Sequence, residues 1–176
     1  MPKGNDPNKR QRGRTGARQE PSEYEEEVLQ IARVTRVVKG GRRFRFRATV
    51  VVGNKNGKVG IGIGKSQEVV GAIKKAITQA KKHFITVPLH NGTIPHEIKI
   101  KYKSAKIFIM PASPGTGIIA GGAVRKIAEL AGIKNMLSKM FGARNRVTTA
   151  QAMMLALKEL KEVTPRLPVS MADKLV

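Results

Sequence analysis

Between Lys58 and Gly64 every second residue is a glycine: Gly60, Gly62 and Gly64 alternate with Val59, Ile61 and Ile63. Successive side chains of a strand point to opposite faces, so this segment reads as a strand with one β-branched face and one bare face. Glycine inside a strand packs nothing and costs conformational entropy. Such a stripe marks a place where another backbone or a phosphate comes very close. The preceding segment shares the period: Phe44, Phe46, Ala48, Val50 and Val52 fall on one face, and Arg43, Arg45, Arg47 and Thr49 on the other. Gly53-Asn54-Lys55-Asn56-Gly57 joins the two strands as a hairpin loop. A further strand is predicted over Gln30–Val38, stopped by Gly40-Gly41, and Ser22 with Glu25 has the form of a capping box, which predicts a helical turn over Glu23–Leu29. After the glycine stripe, Ser66 is the expected N-cap, with Glu68 in the first turn, of a helix running to about Phe84. That helix is expected to bury Val69, Val70, Ile73, Ala76, Ile77, Ala80 and Phe84, with Lys74, Lys75, Lys81 and Lys82 on a neighbouring face. The first half therefore reads βββα.

Residues 85–92 read as a connection, followed by strands near Thr93–Tyr102 and Ala105–Pro111. A glycine-rich bend, Ser113–Gly122, leads into a helix over Ala123–Ala131 and then a strand over Ile133–Phe141. Thr148 with Gln151 forms a second capping box, opening a helix through Leu160, and Pro165 and Pro168 end regular structure. The chain is thus of the α+β class, with two domains over residues 23–90 and 91–162. Residues 1–22 form a polar arm with six basic and two acidic residues, read either as a segment that folds onto phosphates or as a solubilising tail. Residues 163–176 form a C-terminal tail.

The 176 residues include 34 Lys or Arg against 12 Asp or Glu, a formal net charge of +22. A charge that far from zero suits a protein whose partner is a polyanion, most commonly nucleic acid. The absence of Cys excludes disulfides, thiol catalysis and Cys-ligated zinc. No apolar run approaches the ~18 residues that span a bilayer, and the N-terminus lacks the apolar stretch of a signal peptide, so no membrane association and a cytoplasmic location are expected.

The carboxylates argue against an enzyme. The two aspartates, Asp6 and Asp173, lie near the chain ends, and between Val28 and Lys158 only Glu68, Glu97 and Glu129 occur, each isolated. Nucleotide chemistry needs carboxylates to hold magnesium, and hydrolysis usually needs a paired acid and base. His83, His90 and His96 have no metal-ligand spacing. Gly64-Lys65-Ser66 resembles the end of a P-loop, but Val59 stands where its first glycine is required. Gly115-Thr116-Gly117-Ile118-Ile119-Ala120 matches a dinucleotide fingerprint, yet Asn135 occupies the region where an acidic residue belongs. Gly57-Lys58-Val59-Gly60 has the GXXG form of KH domains but lies between strands. No catalytic residue, cofactor, metal or small-molecule substrate is expected.

What remains is a basic binding surface. From Arg36 to Arg47 six basic residues, Arg36, Lys39, Arg42, Arg43, Arg45 and Arg47, occur without one acid. Gly40 and Gly41 let the loop between them project toward a phosphate backbone. Arg33 precedes this run; Lys55, Lys58 and Lys65 follow along the hairpin loop and third strand, and Lys74, Lys75, Lys81 and Lys82 along the helix. All are candidate RNA-contacting residues. With aromatics at 4% and no Trp, base stacking is a minor tool, and recognition of backbone and shape, as in folded double-stranded RNA, fits better.

Four ordered motifs carry a family resemblance: Arg33-Val34-Thr35-Arg36-Val37-Val38-Lys39-Gly40-Gly41-Arg42; Val52-Gly53-Asn54-Lys55-Asn56-Gly57-Lys58-Val59-Gly60; Gly62-Ile63-Gly64-Lys65; and Pro111-Ala112-Ser113-Pro114-Gly115-Thr116-Gly117-Ile118-Ile119-Ala120-Gly121-Gly122. Over about residues 25–160 the chain resembles the bacterial family of the fifth small-subunit ribosomal protein. The resemblance implies a double-stranded-RNA-binding-like βββα domain, then a two-layer α/β domain with a left-handed crossover. It implies a structural protein on small-subunit ribosomal RNA, beside the fourth and eighth small-subunit proteins. There it would hold the head against the body and influence decoding accuracy. The loop Arg33–Arg42 would reach toward the neck and the spectinomycin site, and Gly117 and Arg125 would face the fourth protein. In that family the RNA-binding-like fold lacks its usual first helix, from which the turn read near Glu23 departs. Composition alone also fits a free-standing nucleic-acid binder or RNA chaperone, and the glycine bend a small phosphotransferase.

Overall fold

The computed structural model describes residues 23–161, so the expected arm and tail lie outside the described residues. The first half contains β1 (Glu25–Val38), β2 (Gly41–Gly53), β3 (Lys58–Ser66), α1 (Val69–Lys82) and β4 (Phe84–Thr86). These strands form one antiparallel sheet in the order β1-β2-β3-β4. The second half contains β5 (Ile98–Tyr102), β6 (Ala105–Pro111), β7 (Ile118–Ile119), α2 (Gly122–Ala131), β8 (Met136–Gly142) and α3 (Arg146–Glu159). Its sheet has the order β5-β6-β8-β7, antiparallel except for the parallel pair β7 and β8, which α2 connects.

The bare face of β3 meets a backbone. A Cβ built on Gly60, Gly62 or Gly64 would come inside 3.0 Å of the carbonyl oxygens of Ala80, Ala76 and Ala72 respectively. Three glycines and three fully buried alanines thus form a seam that lets α1 lie almost directly on the strand. The same seam corrects the expected burial of α1. Its core stripe is Ala72, Ala76 and Ala80; Ile73 and Ile77 flank it, while Val70 is 62% exposed. Ala48, Val50 and Val52 of β2 complete this cluster, as the alternation of β2 predicted.

The helical turn expected over Glu23–Leu29 is absent: β1 begins at Glu25 and pairs with the far end of β2. Three consecutive glutamates show why. Glu26 reaches Lys81 on α1 (3.4 Å), while Glu25 and Glu27 reach Lys55 (2.6 Å) and Lys126 (2.5 Å) away from α1. Only a period of two sends alternate side chains to opposite faces. A register shift between Val28 and Gln30 leaves Leu29 unpaired and buries it in the larger core.

Other boundaries move for local reasons. Ser66 does not cap α1; it stays in the ladder opposite Phe46, and Glu68 takes the N-cap position without a side-chain hydrogen bond. Phe84 lies beyond the helix, stacking on Tyr24 with ring centres 5.0 Å apart. The 85–92 connection begins as β4, paired with residues 58–60 of β3. The strand expected from Thr93 is regular only from Ile98, because Pro95 lacks an N–H for a ladder. Asn145, not Thr148, caps α3: its side chain accepts from the Val147 N–H at 3.0 Å. Asn is as good an N-cap as Thr and comes first in the chain.

The larger core joins both halves. Leu29, Val51, Val59 and Val87 cluster with Ile107, Ile109, Val124, Ile127, Met153 and Leu157. At this joint the β2–β3 loop covers the end of α2. Lys55 and Gly57 donate backbone N–H groups to the carbonyls of Leu130 (3.0 Å) and Ala131 (2.9 Å), groups that otherwise lack partners at a helix C-terminus.

Filling the seam tests this packing. Gly62→Ala is expected to destabilise the protein by roughly 1–3 kcal/mol, because the clash is with helix backbone, which cannot rotate away. Gly40→Ala, with no atom within 4 Å of its built Cβ, is the control and should leave the urea midpoint unchanged.

Candidate nucleic-acid interface

β1 and β2 run past the end of α1 and past the second half, so their distal part, from about Arg33 to Arg45, is a projecting two-stranded ribbon. Val38 pairs with Gly41, leaving Lys39 and Gly40 as the turn. Gly41 has φ +125°, a conformation in which a side chain is strained.

Register decides which basic groups meet. Arg43 lies opposite Arg36, Arg45 opposite Val34, and Arg47 opposite both Ala32 and Lys65. Residues directly opposite share a face, so Arg36, Arg43, Arg45, Arg47 and Lys65 form one basic patch. Arg36, Arg43, Arg45 and Lys65 line a groove of about 320 Å³ with Val34, Thr35 and Val38. Arg33 and Arg42 fall on the opposite face, where the Arg33 guanidinium sits 3.6 Å from the centre of the Phe44 ring. That contact holds Arg33 extended along the ribbon.

The other candidates separate. Lys74, Lys75 and Lys82 line an open surface with Thr78 and Gln79 on the outer side of α1, across the sheet from the groove. Lys81 is paired with Glu26, and Lys55 with Glu25 at the joint. Lys58 starts β3 beside β4, seven positions and about 23 Å from Lys65 along the strand. Among the described residues the ion pairs use Lys55, Lys81 and Lys126, so the ribbon's cations have no carboxylate partner.

Gly117 and Arg125 are brought together. The Gly117 N–H donates to Asn135 Oδ1 at 3.0 Å, and Arg125 donates from Nη2 to the carbonyl of Ile118 at 3.1 Å. The organising residue is Asn135. Its nearly buried side-chain oxygen accepts from both Gly115 (3.1 Å) and Gly117, and its carbonyl accepts from the Thr93 hydroxyl at 2.8 Å. In the sequence it stood only as the residue that spoils a dinucleotide fingerprint; its contact with a bend 18 positions earlier has no local signal. The basic cluster of Lys126, Arg144 and Arg146 was also missed. It lines a cavity of about 320 Å³ against Leu29, and Arg146 donates to the Leu29 carbonyl at 3.4 Å.

The motifs tested for catalysis take structural places. Gly64 lies against α1, Gly57 to Gly60 run from loop into strand, and the 113–117 bend closes on Asn135. Among the described residues no group of three or more His, Asp or Glu is arranged to hold a metal ion, and no helix is long and apolar enough to cross a membrane.

Comparison with known proteins agrees with this organisation. The family model described as ribosomal protein S5, N-terminal domain, matches residues 24–88, and that for the ribosomal protein S5, C-terminal domain, matches residues 100–168. The small ribosomal subunit protein uS5 of Thermotoga maritima is 50% identical over 151 residues, covering 86% of this chain and 84% of the relative. Those of Thermosipho africanus and Nostoc punctiforme are each 47% identical, over 153 and 149 residues, covering 82% and 84% of this chain and 87% and 85% of the relatives.

Asn135→Leu is expected to cost roughly 2–4 kcal/mol, since it leaves two backbone N–H groups without their acceptor. Amide exchange at Gly115 and Gly117 should accelerate together; unchanged exchange there would show that the bend holds without Asn135.

Proposed function

The chain belongs to the ribosomal protein S5 family, whose members are structural, non-enzymatic components of the small ribosomal subunit, and from that premise we propose that it binds small-subunit ribosomal RNA through the β1–β2 ribbon. The observation that carries the reading is the register that gathers Arg36, Arg43, Arg45, Arg47 and Lys65 on one face with no acid among them. Like charges directly opposite one another, as at Arg36 and Arg43, are destabilising in the free protein. RNA phosphates relieve that repulsion and reward it with counterion release. Arginine suits the task because its planar fork grips phosphate oxygens in pairs. Lys39 and Arg42 flank the tip and extend the contact, and Lys74, Lys75 and Lys82 offer a separate phosphate surface on α1.

The bend at Gly117 with Arg125 is the proposed face toward the fourth small-subunit protein, with the eighth as the second neighbour. A pre-shaped, hydrogen-bonded bend supports this, since docking then orders little that was loose. Spanning both contacts from one rigid joint, the protein couples head to body and influences decoding accuracy. Its place of action is the ribosome in the cytoplasm. Sucrose-gradient sedimentation tests the assignment: the protein should travel with small subunits, and recovery at the top of the gradient would favour a free-standing binder or RNA chaperone.

Two further outcomes are expected. With about six phosphates neutralised, log affinity should fall against log salt with a slope of roughly −4 to −5, and the doubly substituted Arg43→Ala/Arg45→Ala protein should lose about two units of that slope while keeping its fold. Gly41→Val, strained at its left-handed φ, should displace Lys39 and Arg42 at the tip without disturbing the core. Cells carrying it should assemble small subunits but show altered spectinomycin sensitivity; wild-type sensitivity would make the tip an ordinary turn.

A further inference from the structure

The second sheet has α2 and α3 on one face and no described element on the other. Register arranges that open face in rows. Lys99 of β5, Phe108 of β6 and Lys139 of β8 stand side by side; in the next row stand Lys101, Lys106 and Phe141. The four lysines are exposed and take part in none of the described ion pairs. Within the strands the face carries no acid; Glu97 stands one residue before β5 begins. Lys101 lies directly opposite Lys106, a like-charge pair that costs stability unless an anion sits over it. Phe141 is 48% exposed although an open strand position readily takes a polar residue. Phe108 is half-buried in its row, and among the described residues no packing accounts for the exposed Phe141 ring beside it and four unpaired lysines.

The rings lie on the two central strands, diagonally offset by one row, which places them about 7–8 Å apart. Aromatic rings so placed on a four-stranded sheet can each take one unstacked base, while flanking cations hold the backbone between. We propose that this open face is a second RNA site, distinct from the ribbon, which holds a single-stranded segment with successive bases on Phe108 and Phe141 and its phosphates on Lys99, Lys101, Lys106 and Lys139. Charge complementarity selects a polyanion. The rings select one with flat apolar faces at each charged unit, which an acidic protein surface does not present. The ribbon differs in kind: its groove is lined by Arg36, Arg43, Arg45 and Lys65 with Val34, Thr35 and Val38, and its exposed ring, Phe44, lies on the opposite face under the Arg33 guanidinium.

The test uses the full chain and two probes, an oligouridylate of about ten residues and an RNA duplex of about 16 base pairs. Phe108→Leu/Phe141→Leu keeps the face apolar but removes stacking. It should weaken oligouridylate binding roughly tenfold and leave duplex binding unchanged. Arg43→Ala/Arg45→Ala should do the reverse, so failure at the sheet face and failure at the ribbon are told apart. Circular dichroism of each variant should match the parent. Should the double Leu variant bind oligouridylate like the parent, or lose both RNAs equally, the single-strand site is overturned. It is overturned too, in favour of a protein partner, if Lys99→Gln/Lys101→Gln abolishes incorporation into small subunits with oligouridylate affinity intact.

Discussion

Two backbones touch at the joint between the halves, and the placement of both candidate surfaces depends on that contact. The β2–β3 loop donates N–H groups from Lys55 and Gly57 to the last carbonyls of α2, and neither side leaves room for a Cβ: one on Gly53 would collide with Leu130, and one on Gly132 with Lys55. Gly132 also holds the left-handed conformation (φ 87°) that ends α2. A hydrogen-bonded contact made of backbone cannot change rotamer. The ribbon at one end of the first sheet and the glycine bend beside α2 are therefore joined through backbone as well as through side-chain packing.

The acidic residues serve the same end. Glu25, Glu26 and Glu27 are the only run of acids, and each ties the start of β1 to a different element: the β2–β3 loop, α1 and α2. Exposed pairs of this kind are worth only about 0.2–1 kcal/mol each, so they guide the strand more than they stabilise it. Their larger effect is on what is left. With the carboxylates drawn to the base of β1, the ribbon's arginines and the lysines of the second sheet's open face stay unpaired. The charge of the described residues is thereby divided into exposed ion pairs around the start of β1 and outward cationic faces.

Strand periodicity was legible because it is local. The alternation of Arg43–Val52 and of Lys58–Gly64 predicts strands, faces and a hairpin with no knowledge of partners, and both exist with ends moved by one or two residues. Ala105–Pro111 and the helix after the glycine bend are legible on the same grounds. The helical turn at Glu23 failed because a capping box is a weak local preference, while pairing with β2 supplies a full ladder of hydrogen bonds. Ser66 lost its cap to the same competition. In α1 the burial of Ala76 and Ala80 was legible but that of Ala72 was not, because hydrophobicity ranks Val70 above Ala72, whereas a glycine face opposite rewards the smallest side chain.

The sequence by itself determined the strand period, the glycine stripe, the excess of cations and the shortage of paired carboxylates, which together call for a close-packed sheet and a polyanionic partner. It also carried the four motifs of the family, since each is a contiguous run of residues. Only the tertiary structure decided that the glycine stripe receives a helix rather than a phosphate. The tertiary structure also separates Lys55 and Lys81, held in ion pairs, from Arg36, Arg43, Arg45 and Lys65, gathered on one face. Asn135 became the anchor of the 113–117 bend in the same way. The reason is physical: periodicity and charge count are properties of neighbours along the chain. Which backbone fills a bare face, and which cation finds a carboxylate, is set by residues tens of positions apart that meet only when the sheets are paired and the joint has closed.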